Sequence, residues 1–376
     1  MDVKAYIQKL TEDAADLLRG MVAIPSPSFK EEEVCSYISG WMTEKGIIHH
    51  RDGNNLIARL SDQQGIDPSL KQRPTLMMCA HMDTVEPCEG YSFDPYRPEN
   101  CPEDMIQGLG SNDDGASAVS MIATFRFMMG GNLDSNEQII GNADLDILLV
   151  LTCEEERSGT GGMTGLWPKI KDKVDLAIVG EPTQMKAAIA ERGLLVIDAA
   201  AHGVSGHAAR NEGVNALYIA LEDIQKLKNH VFTRISSRMG EVKLNVTQIN
   251  AGTAHNVIPD ICSFVVDIRP TEQYTNEEIF DELQALCSST LKARNLRNRS
   301  SATKEGSPLQ ATAEALGIEI FSSPTTSDWM RIDCDAVKMG PGDSARSHRK
   351  DEFVYIDEIH KGIETYIEYI NHLLKI

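Results

Sequence analysis

The 376-residue sequence predicts an α/β fold in which a larger domain is interrupted by a smaller α+β domain. Three nearly continuous apolar runs, at 75–80, 145–153 and 175–180, are typical of strands buried on both faces of an α/β sheet. After Glu181 the pattern changes to β-α-β-β-α, the order of a separate small domain. From about residue 300 the α/β character resumes, so we expect one domain to be inserted into the other.

The segment before the buried strands predicts two helices and one short strand. Residues 1–18 have the period of an amphipathic helix. The second helix is predicted from Ser28-Phe-Lys-Glu31, a capping-box pattern that follows the helix-breaking IPSPS. The short strand covers 56–60, and the polar, turn-rich stretches at 61–74 and 130–144 predict surface insertions.

The inserted domain is predicted from alternating strands and amphipathic helices. One helix carries Leu217, Leu221, Ile224 and Leu227 along one side, and a second is predicted over 275–293. Strands are expected at 193–203, 243–250 and 261–269. The predicted boundaries are therefore 1–184 for the first part of the larger domain, 185–298 for the insertion and 299–376 for the second part.

The composition argues against several classes of function. Lys and Arg total 36 and Asp and Glu total 56, so the net charge of −20 argues against binding to nucleic acid or anionic membranes. The eight cysteines form no CxxC pair, no apolar run approaches the ~18 residues of a membrane span, and the N-terminus lacks a signal-peptide pattern. We expect a cytoplasmic protein with reduced thiols.

Three of the apolar strands end in polar groups that could carry chemistry. The strand at 75–80 leads into His81-Met-Asp83, the strand at 145–153 into three glutamates, and the strand at 175–180 into Glu181. Ligands of open α/β sheets bind outside the carboxyl ends of the strands. Asp113 and Asp114 lie in a Gly-flanked loop before a helix, and His348 is a further candidate imidazole.

Each of these features alone has a structural explanation. A histidine after a strand is often only hydrogen bonded, a run of glutamates often begins a helix, and an acid before proline often marks a turn. Their coincidence at one sheet edge is more specific. Clustered carboxylates repel and stay partly protonated unless cations neutralise them. Two divalent ions would do so, and His/carboxylate donors without thiolates suit Zn²⁺, Mn²⁺ or Co²⁺.

Seven motifs in a fixed order span nearly the whole chain: HMD (81–83), GLGSNDDGAS (108–117), CEEE (153–156), VGEPT (179–183), GHAA (206–209), HNVIP (255–259) and SARSH (344–348). This set resembles the dinuclear-zinc aminoacylase and carboxypeptidase family of metallopeptidases, whose members include acetylornithine deacetylases and succinyl-diaminopimelate desuccinylases. The resemblance implies a mixed-sheet, metallopeptidase-like catalytic domain with an inserted lid that forms a homodimer.

The same resemblance implies the ligands of two metal ions. It assigns His81, Asp113 and Glu181 to one ion, with Asp113 bridging to a second ion that Glu156 and His348 complete. Asp83 is expected to hold His81 in position, a common role for a carboxylate beside a metal-bound imidazole. The bond between Asp113 and Asp114 matches the cis peptide of the family.

The catalytic residues implied by the resemblance are Glu155, Asp83 and His207. Glu155 matches the general base of metal-assisted amide hydrolysis, which takes a proton from water and passes it to the leaving amine. The triple glutamate leaves the register open, so Glu154 is the alternative. His207 matches a lid histidine that stabilises the oxyanion in the partner's site, although Arg210 stands where many relatives have proline.

Substrate-binding residues are implied less specifically. Asn256 resembles a substrate-contacting asparagine of the lid, but it could equally be a turn residue before a strand. Arg192 and Arg269 resemble lid arginines that bind a substrate carboxylate, for which a guanidinium is suited. Arg346 is a third candidate, and each arginine could instead be a surface residue.

The resemblance implies hydrolysis of an N-acyl amino acid. The first expectation is an N-acetylornithine deacetylase, or a variant that uses N-acetylcitrulline or an N-succinyl form, with a role in arginine biosynthesis. Succinyl-diaminopimelate desuccinylase is the second and a dipeptidase or carboxypeptidase the third. A non-catalytic binding homologue is the alternative outside this class, but it should have lost ligands or the base, and all are present here.

Overall fold

The computed structural model describes residues 2–65, 73–130, 145–210 and 212–375, so most of the two predicted polar insertions lies outside the described residues. The described chain divides into two compact units. The larger unit comprises Met1–Ile189, Thr303–Phe321 and Ser327–Ile376, and the smaller unit comprises Ala190–Ala302 and Ser322–Thr326.

The strands, in chain order, are β1 (His49–Asp52), β2 (Asn55–Arg59), β3 (Thr75–His81), β4 (Met105–Gln107), β5 (Asp146–Thr152), β6 (Leu176–Val179), β7 (Ala187–Glu191), β8 (Leu195–His202), β9 (Gly206–His207), β10 (Lys243–Ala251), β11 (Val257–Ile258), β12 (Ile261–Arg269), β13 (Thr290–Ala293), β14 (Ser301–Ala302), β15 (Ile320–Ser323), β16 (Asp335–Lys338) and β17 (Phe353–Tyr355). The helices are α1 (Val3–Val22), α2 (Glu32–Glu44), α3 (Leu60–Gln63), α4 (Ala116–Met128), α5 (Met163–Ile170), α6 (Ala216–Asn229), α7 (Asn276–Leu286), α8 (Pro308–Ala315) and α9 (Ile356–Leu373).

The larger unit is built on a mixed sheet with strand order β1-β2-β5-β3-β6-β16-β7-β14, with β15 also pairing with β7. The pairs β3–β5, β3–β6 and β6–β16 are parallel, whereas β1–β2 and β2–β5 are antiparallel. Every residue of β3 and β5 is buried, which confirms the α/β assignment made from the apolar runs. Helices α1, α4 and α9 pack together in the main core over one face.

The register of the parallel strands brings their carboxyl ends to the same sheet edge. His81 at the end of β3 pairs with Thr152 at the end of β5, and Cys79 pairs with Val179 at the end of β6. Lys338, which ends β16, also pairs with Val179. The segments that follow these strands therefore leave the sheet side by side.

The smaller unit has a four-stranded antiparallel sheet, order β10-β12-β8-β13, with α6 and α7 contributing to its own hydrophobic core. The helix predicted over 275–293 is too long. Helix α7 ends at Leu286, and Thr290–Ala293 instead forms β13 beside β8. A backbone pairing with a strand some 90 residues earlier in the chain overrides the helical pattern.

The capping box predicted at Ser28 and Glu31 is wrong. The Ser28 hydroxyl donates to Asp83 Oδ2 at 2.7 Å, and Glu31 itself is the N-cap of α2, with no side-chain capping bond. Its carboxylate accepts from the backbone N–H of Phe29 (2.8 Å) and of Glu154 (3.1 Å). Both side chains are thus bound to the sheet edge and not to the helix they precede.

The apolar side predicted for α6 faces the core in part. The buried residues of the helix are Ala216, Ala220, Asp223 and Leu227, whereas Leu221 is 49% exposed. Alanine allows a helix to approach a sheet closely, so the small residues take the core side. Leu227 of the predicted row is also buried, Leu217 and Ile224 pack partly against the core, and Leu221 is the member left at the surface.

Asp223 is a fully buried carboxylate that joins α6 to the turn before β13. It accepts hydrogen bonds from the backbone N–H of Ser288 and Ser289, from the Ser289 hydroxyl and from Lys226. Burial alone would raise the pKa of Asp223, but these hydrogen bonds outweigh burial and leave the pKa lowered. The hydrogen bonds therefore favour the charged form of Asp223.

We expect Asp223→Ala to lower the free energy of unfolding by about 2–3 kcal/mol, because buried N–H donors lose their acceptor. A carboxyl with a lowered folded pKa contributes stability above its unfolded pKa of about 3.9 and loses it as pH falls through the folded pKa. The advantage of wild type over Asp223→Asn, measured by urea unfolding, should therefore disappear in acid. Asp281→Asn on the exposed side of α7 is the control. If Asp281→Asn lowered the free energy of unfolding as much as Asp223→Asn does, this account would be contradicted.

Within the described residues, no helix is both long and apolar enough to span a membrane. All eight cysteines are free thiols, four of them buried: Cys35, Cys79, Cys153 and Cys262.

Candidate metal centre

The segments after the aligned strand ends carry the polar side chains predicted from sequence. His81 ends β3, the three glutamates follow β5, Glu181 follows β6, and the segment after β16 leads to His348. A fifth segment, 111–115, precedes α4 and carries Asp113; its Asp113–Asp114 peptide bond is cis. All five segments belong to the larger unit.

Five of these side chains form two groups that could each hold a metal ion. The first consists of His81, Asp113 and Glu181, and the second of Asp113, Glu156 and His348. Within each group the donor atoms lie within 4.8 Å of one another, and Asp113 belongs to both. The structure therefore brings together the two ligand sets that the sequence predicted, joined through one carboxylate.

The closest contacts involve the two imidazoles. His81 Nε2 lies 3.2 Å from Asp113 Oδ1, and His348 Nε2 lies 2.9 Å from Glu156 Oε1 and 3.7 Å from Asp113 Oδ2. His81 is buried at the end of a central strand, whereas the side chain of His348 is 54% exposed. One group is thus set into the sheet edge, and the other reaches solvent through His348.

Asp83 contacts both histidine and glutamate segments. Nδ1 of His81 lies 2.9 Å from the backbone carbonyl oxygen of Asp83 and 3.5 Å from its carboxylate. The same carboxylate accepts from the backbone N–H of Glu155 (3.0 Å) and Glu156 (3.2 Å). Asp83 therefore orients His81 and also fixes the start of the glutamate segment.

The pKa values of the carboxyl groups show that this cluster is short of positive charge. Burial, and then repulsion from Asp113, raises the pKa of Glu181 well above its ordinary value. Burial also raises the pKa of Glu156, although its hydrogen bond with His348 opposes the rise. Asp113 is the exception: burial would raise its pKa, but contact with His81 lowers it. Divalent cations between these oxygens would remove the repulsion, so the donor set fits two metal ions.

The geometry favours Glu155 over Glu154 as the acid that faces the cluster. Burial raises the pKa of Glu155 well above its ordinary value, and repulsion from Glu181 and Asp328 adds to the rise. The Glu154 side chain instead accepts from the backbone N–H of Gly161 at 2.7 Å and closes its own loop. Glu154 thus already has a local structural partner.

His207 and Asn256 lie in the smaller unit and are both exposed. His207 is in β9, which pairs with β11, and its Nδ1 accepts from the backbone N–H of Ala209 at 3.1 Å. Asn256 lies in the turn before β11, where its backbone carbonyl oxygen accepts from the backbone N–H of Ala208. The two predicted residues therefore lie close together where β9 pairs with β11.

All three predicted carboxylate-binding arginines already have hydrogen-bond partners within the chain. Arg192 is buried, and its guanidinium donates to the backbone carbonyl oxygens of Glu241, Arg269 and Met239. Arg346 donates to Glu358 Oε2 at 2.6 Å, and its Cζ lies 4.5 Å from the centroid of the Phe353 ring. These contacts occupy donors of both guanidinium groups, and substrate binding by Arg192 and Arg346 stays a prediction.

Arg269 remains a candidate for binding a carboxylate. Its Nε and Nη2 atoms donate to the two oxygens of Asp267 at 2.8 and 3.1 Å, and its side chain is 35% exposed. The interaction is bidentate but on the surface, where an ion pair contributes little to stability.

Sequence reasoning missed three buried polar residues near the cluster. Asp328 accepts from the Thr152 hydroxyl at 2.7 Å, and burial raises its pKa to about 6. Glu352 and Asn112 connect the segments that carry Asp113 and His348. None of the three follows a strand directly, so the strand-end signal that identified the other acids does not reach them.

Comparisons with known proteins find one matching family model and several similar named enzymes. The model of the M20 peptidase dimerisation domain matches residues 189–295. The chain is 26% identical over 388 residues to a succinyl-diaminopimelate desuccinylase of Wolbachia pipientis wMel, covering 96% of this chain and 93% of that protein. It is 25% identical over 373 residues to an acetylornithine deacetylase of Proteus mirabilis, covering 90% and 91%.

Solved structures share the fold. The Bacillus subtilis YXEP protein, described as a dinuclear metal-binding peptidase of the M20 family, superposes with a TM-score of 0.71 at 15% identity and covers 99% of both chains. The mixed α/β architecture is therefore found, over the full length, in a structure of that family.

Proposed function

Because the chain is an M20-family metal-dependent hydrolase with a dimerisation domain, we propose that it hydrolyses the amide bond of an N-acyl amino acid. The observation that carries this proposal is the pair of His/carboxylate groups that share Asp113, with Glu155 on the adjoining segment, where burial raises the pKa of its carboxyl. Non-catalytic binding would not require an acid with a raised pKa at that position.

We assign His81, Asp113 and Glu181 to one ion and Asp113, Glu156 and His348 to the other. The donor set suits Zn²⁺, with Co²⁺ or Mn²⁺ as alternatives, because it combines imidazole and carboxylate without thiolate. When bound, such ions polarise the amide carbonyl and lower the pKa of water.

The protein's own groups move the proton and hold the geometry. Glu155 takes a proton from the attacking water and passes it to the nitrogen of the leaving amine. A carboxyl whose pKa is raised by burial binds a proton more readily than an exposed one, which suits a group that takes a proton from water. Asp83 holds this segment through the backbone N–H groups of Glu155 and Glu156. His207, from the exposed β9 segment of a second copy, donates to the developing oxyanion.

N-acetylornithine, or a variant such as N-acetylcitrulline or an N-succinyl amino acid, is the substrate that we propose first, in arginine biosynthesis. The similarity to a named acetylornithine deacetylase supports it. Desuccinylation of N-succinyl-diaminopimelate is the second candidate, because a named desuccinylase is similar at nearly the same identity. Arg192, Asn256, Arg269 and Arg346 are the candidates to bind the substrate, and Asn256 and Arg269 are more exposed than Arg192.

A hydrolysis panel tests this function. Purified protein would be assayed with N-acetylornithine, N-acetylcitrulline, their N-succinyl counterparts, N-succinyl-diaminopimelate and several dipeptides, with added Zn²⁺ or Co²⁺ and with a chelator. We expect chelator-sensitive release of the amine from an acetylated amino acid. Preference for an N-succinyl counterpart would select that variant, whereas preference for N-succinyl-diaminopimelate or a dipeptide would contradict the first choice of substrate. A protein that binds no metal and cleaves nothing would leave a binding role.

A homodimer is the assembly that we propose, and α6 is its expected contact. Residues 189–295 match a dimerisation domain, and the outer side of α6 exposes Tyr218 (64%) and Leu221 (49%). Large apolar side chains that are exposed together on one helix commonly mark a protein interface. A second copy is the partner that the matched domain supports.

We expect Leu221→Glu to weaken self-association by at least about 100-fold, because a charge would be buried at the contact. Sedimentation velocity over a concentration series would show a dimer for wild type and a monomer for the variant. Ile48→Glu, at a 60% exposed position of the larger unit, is the matched control and should stay dimeric. An unchanged Leu221→Glu dimer would place the interface elsewhere.

A further inference from the structure

Glu352 holds the backbone of the segment that carries Asp113. Its carboxylate is buried, and Oε1 accepts from the backbone N–H of Asn112 and of Asp113, both at 2.9 Å. Burial raises the pKa of Glu352 to about 8. A single oxygen thus fixes two consecutive peptide groups, and the second belongs to the residue shared by both metal groups.

The side chain of Asn112 contacts the loop that leads to His348. Its side chain is fully buried, with Oδ1 accepting from Asp343 N–H at 2.9 Å and Nδ2 donating to Asp343 O at 3.1 Å and to Ser347 Oγ at 3.4 Å. The loop is packed against this amide: a Cβ added at Gly342 would lie 2.5 Å from Asn112 Oδ1. The loop that ends in His348 is therefore bound to Asn112.

The two residues form a brace between the Asp113 segment and the His348 segment. The brace matters most for His348, because that side chain is half exposed and its backbone has a φ of +55°, which is unfavourable for a residue other than glycine. His81, in contrast, is buried at the end of β3, where strand pairing places it. The position of His348 relative to Asp113 therefore depends on side-chain hydrogen bonds, whereas the position of His81 depends on strand pairing in the sheet.

We propose that Asn112 and Glu352 are positioning residues that set the spacing between Asp113 and His348. They hold the group formed by Asp113, Glu156 and His348 in a geometry that can bind its ion, while the His81 side of the centre is held without them. This inference rests on the proposed dinuclear centre. It assigns a purpose to the two buried polar residues that the ligand pattern leaves unexplained.

The test is a calorimetric titration of metal-stripped protein with Zn²⁺ alone, together with the metal content after dialysis. We expect two ions in wild type. Asn112→Ala should weaken one ion by about 10–100-fold, the usual cost of losing a residue that orients a ligand, and should leave the other within a few-fold. His348→Ala should affect the same ion. Unchanged affinities, or equal weakening of both ions, would overturn the proposal.

Two further variants separate positioning from general stability. Glu352→Gln keeps an oxygen that can accept from both N–H groups and should bind both ions nearly as wild type does. Glu352→Ala should lose the same ion that Asn112→Ala weakens. Asn276→Ala, in the smaller unit, removes a buried asparagine that donates to two carbonyl oxygens. It should lower Tm without changing either ion, and a lost ion there would overturn the assignment. Wild type that binds no Zn²⁺ would refute the centre itself.

Discussion

Replacing Glu155 with glutamine is expected to lower kcat by about 10²–10⁴-fold, the range that a positioned acid-base group contributes. The amide has nearly the same shape as the carboxylate but cannot take a proton from water. Because Glu155 is in neither group of metal donors, the variant should keep its full metal content. The measurement is steady-state hydrolysis of the best panel substrate, with metal analysis on the same preparation.

Glu154→Gln is the matched control for this prediction. The Glu154 side chain accepts one hydrogen bond from Gly161 N–H, which an amide oxygen can also accept. We expect kcat within a few-fold of wild type. If Glu154→Gln lost activity and Glu155→Gln kept it, the base would be Glu154, and the register that the structure favours would be incorrect.

Replacing Asp113 with alanine is expected to remove both metal ions and all measurable hydrolysis. Asp113 is the one residue common to the two donor groups of the described chain, so its loss leaves two donors in each. Glu181→Ala and His348→Ala should each weaken a different ion, because each residue belongs to one group alone. Metal content by mass spectrometry would therefore follow a pattern of zero, one and one.

Asp146→Ala is the comparison for the metal series. Asp146 is a buried carboxylate at the other end of β5, where it binds Arg59 at 2.6 Å and Ser61. Its loss should lower Tm but leave two ions bound. Retention of two ions by Asp113→Ala would contradict the shared-ligand arrangement and require another bridging group.

Much of the fold could be predicted from the sequence, because each signal is local. Apolar runs long enough for one strand identified β3, β5 and β6, and the polar residues at their ends identified His81 and Glu181. Parallel strands in register bring such ends together, so the position of a residue along the chain was enough to predict the edge on which it lies. The order of seven short motifs supplied the rest of the donor set.

Signals failed where a residue had a choice of partners. Ser28 could cap a helix but binds Asp83, and residues 290–293 could continue a helix but pair with β8. In each case the local pattern was compatible with two structures. The contact that decided between them was made by a distant segment.

The sequence by itself determined the fold class, the inserted arrangement and the five candidate donor residues that the structure brings together. Tertiary structure alone decided which glutamate faces the cluster, which side of α6 is exposed and how the His348 loop is held. The physical reason is separation along the chain. Glu352 meets the backbone of Asn112 across 240 residues, and a hydrogen bond between such distant groups exists only once the sheet has brought their segments together.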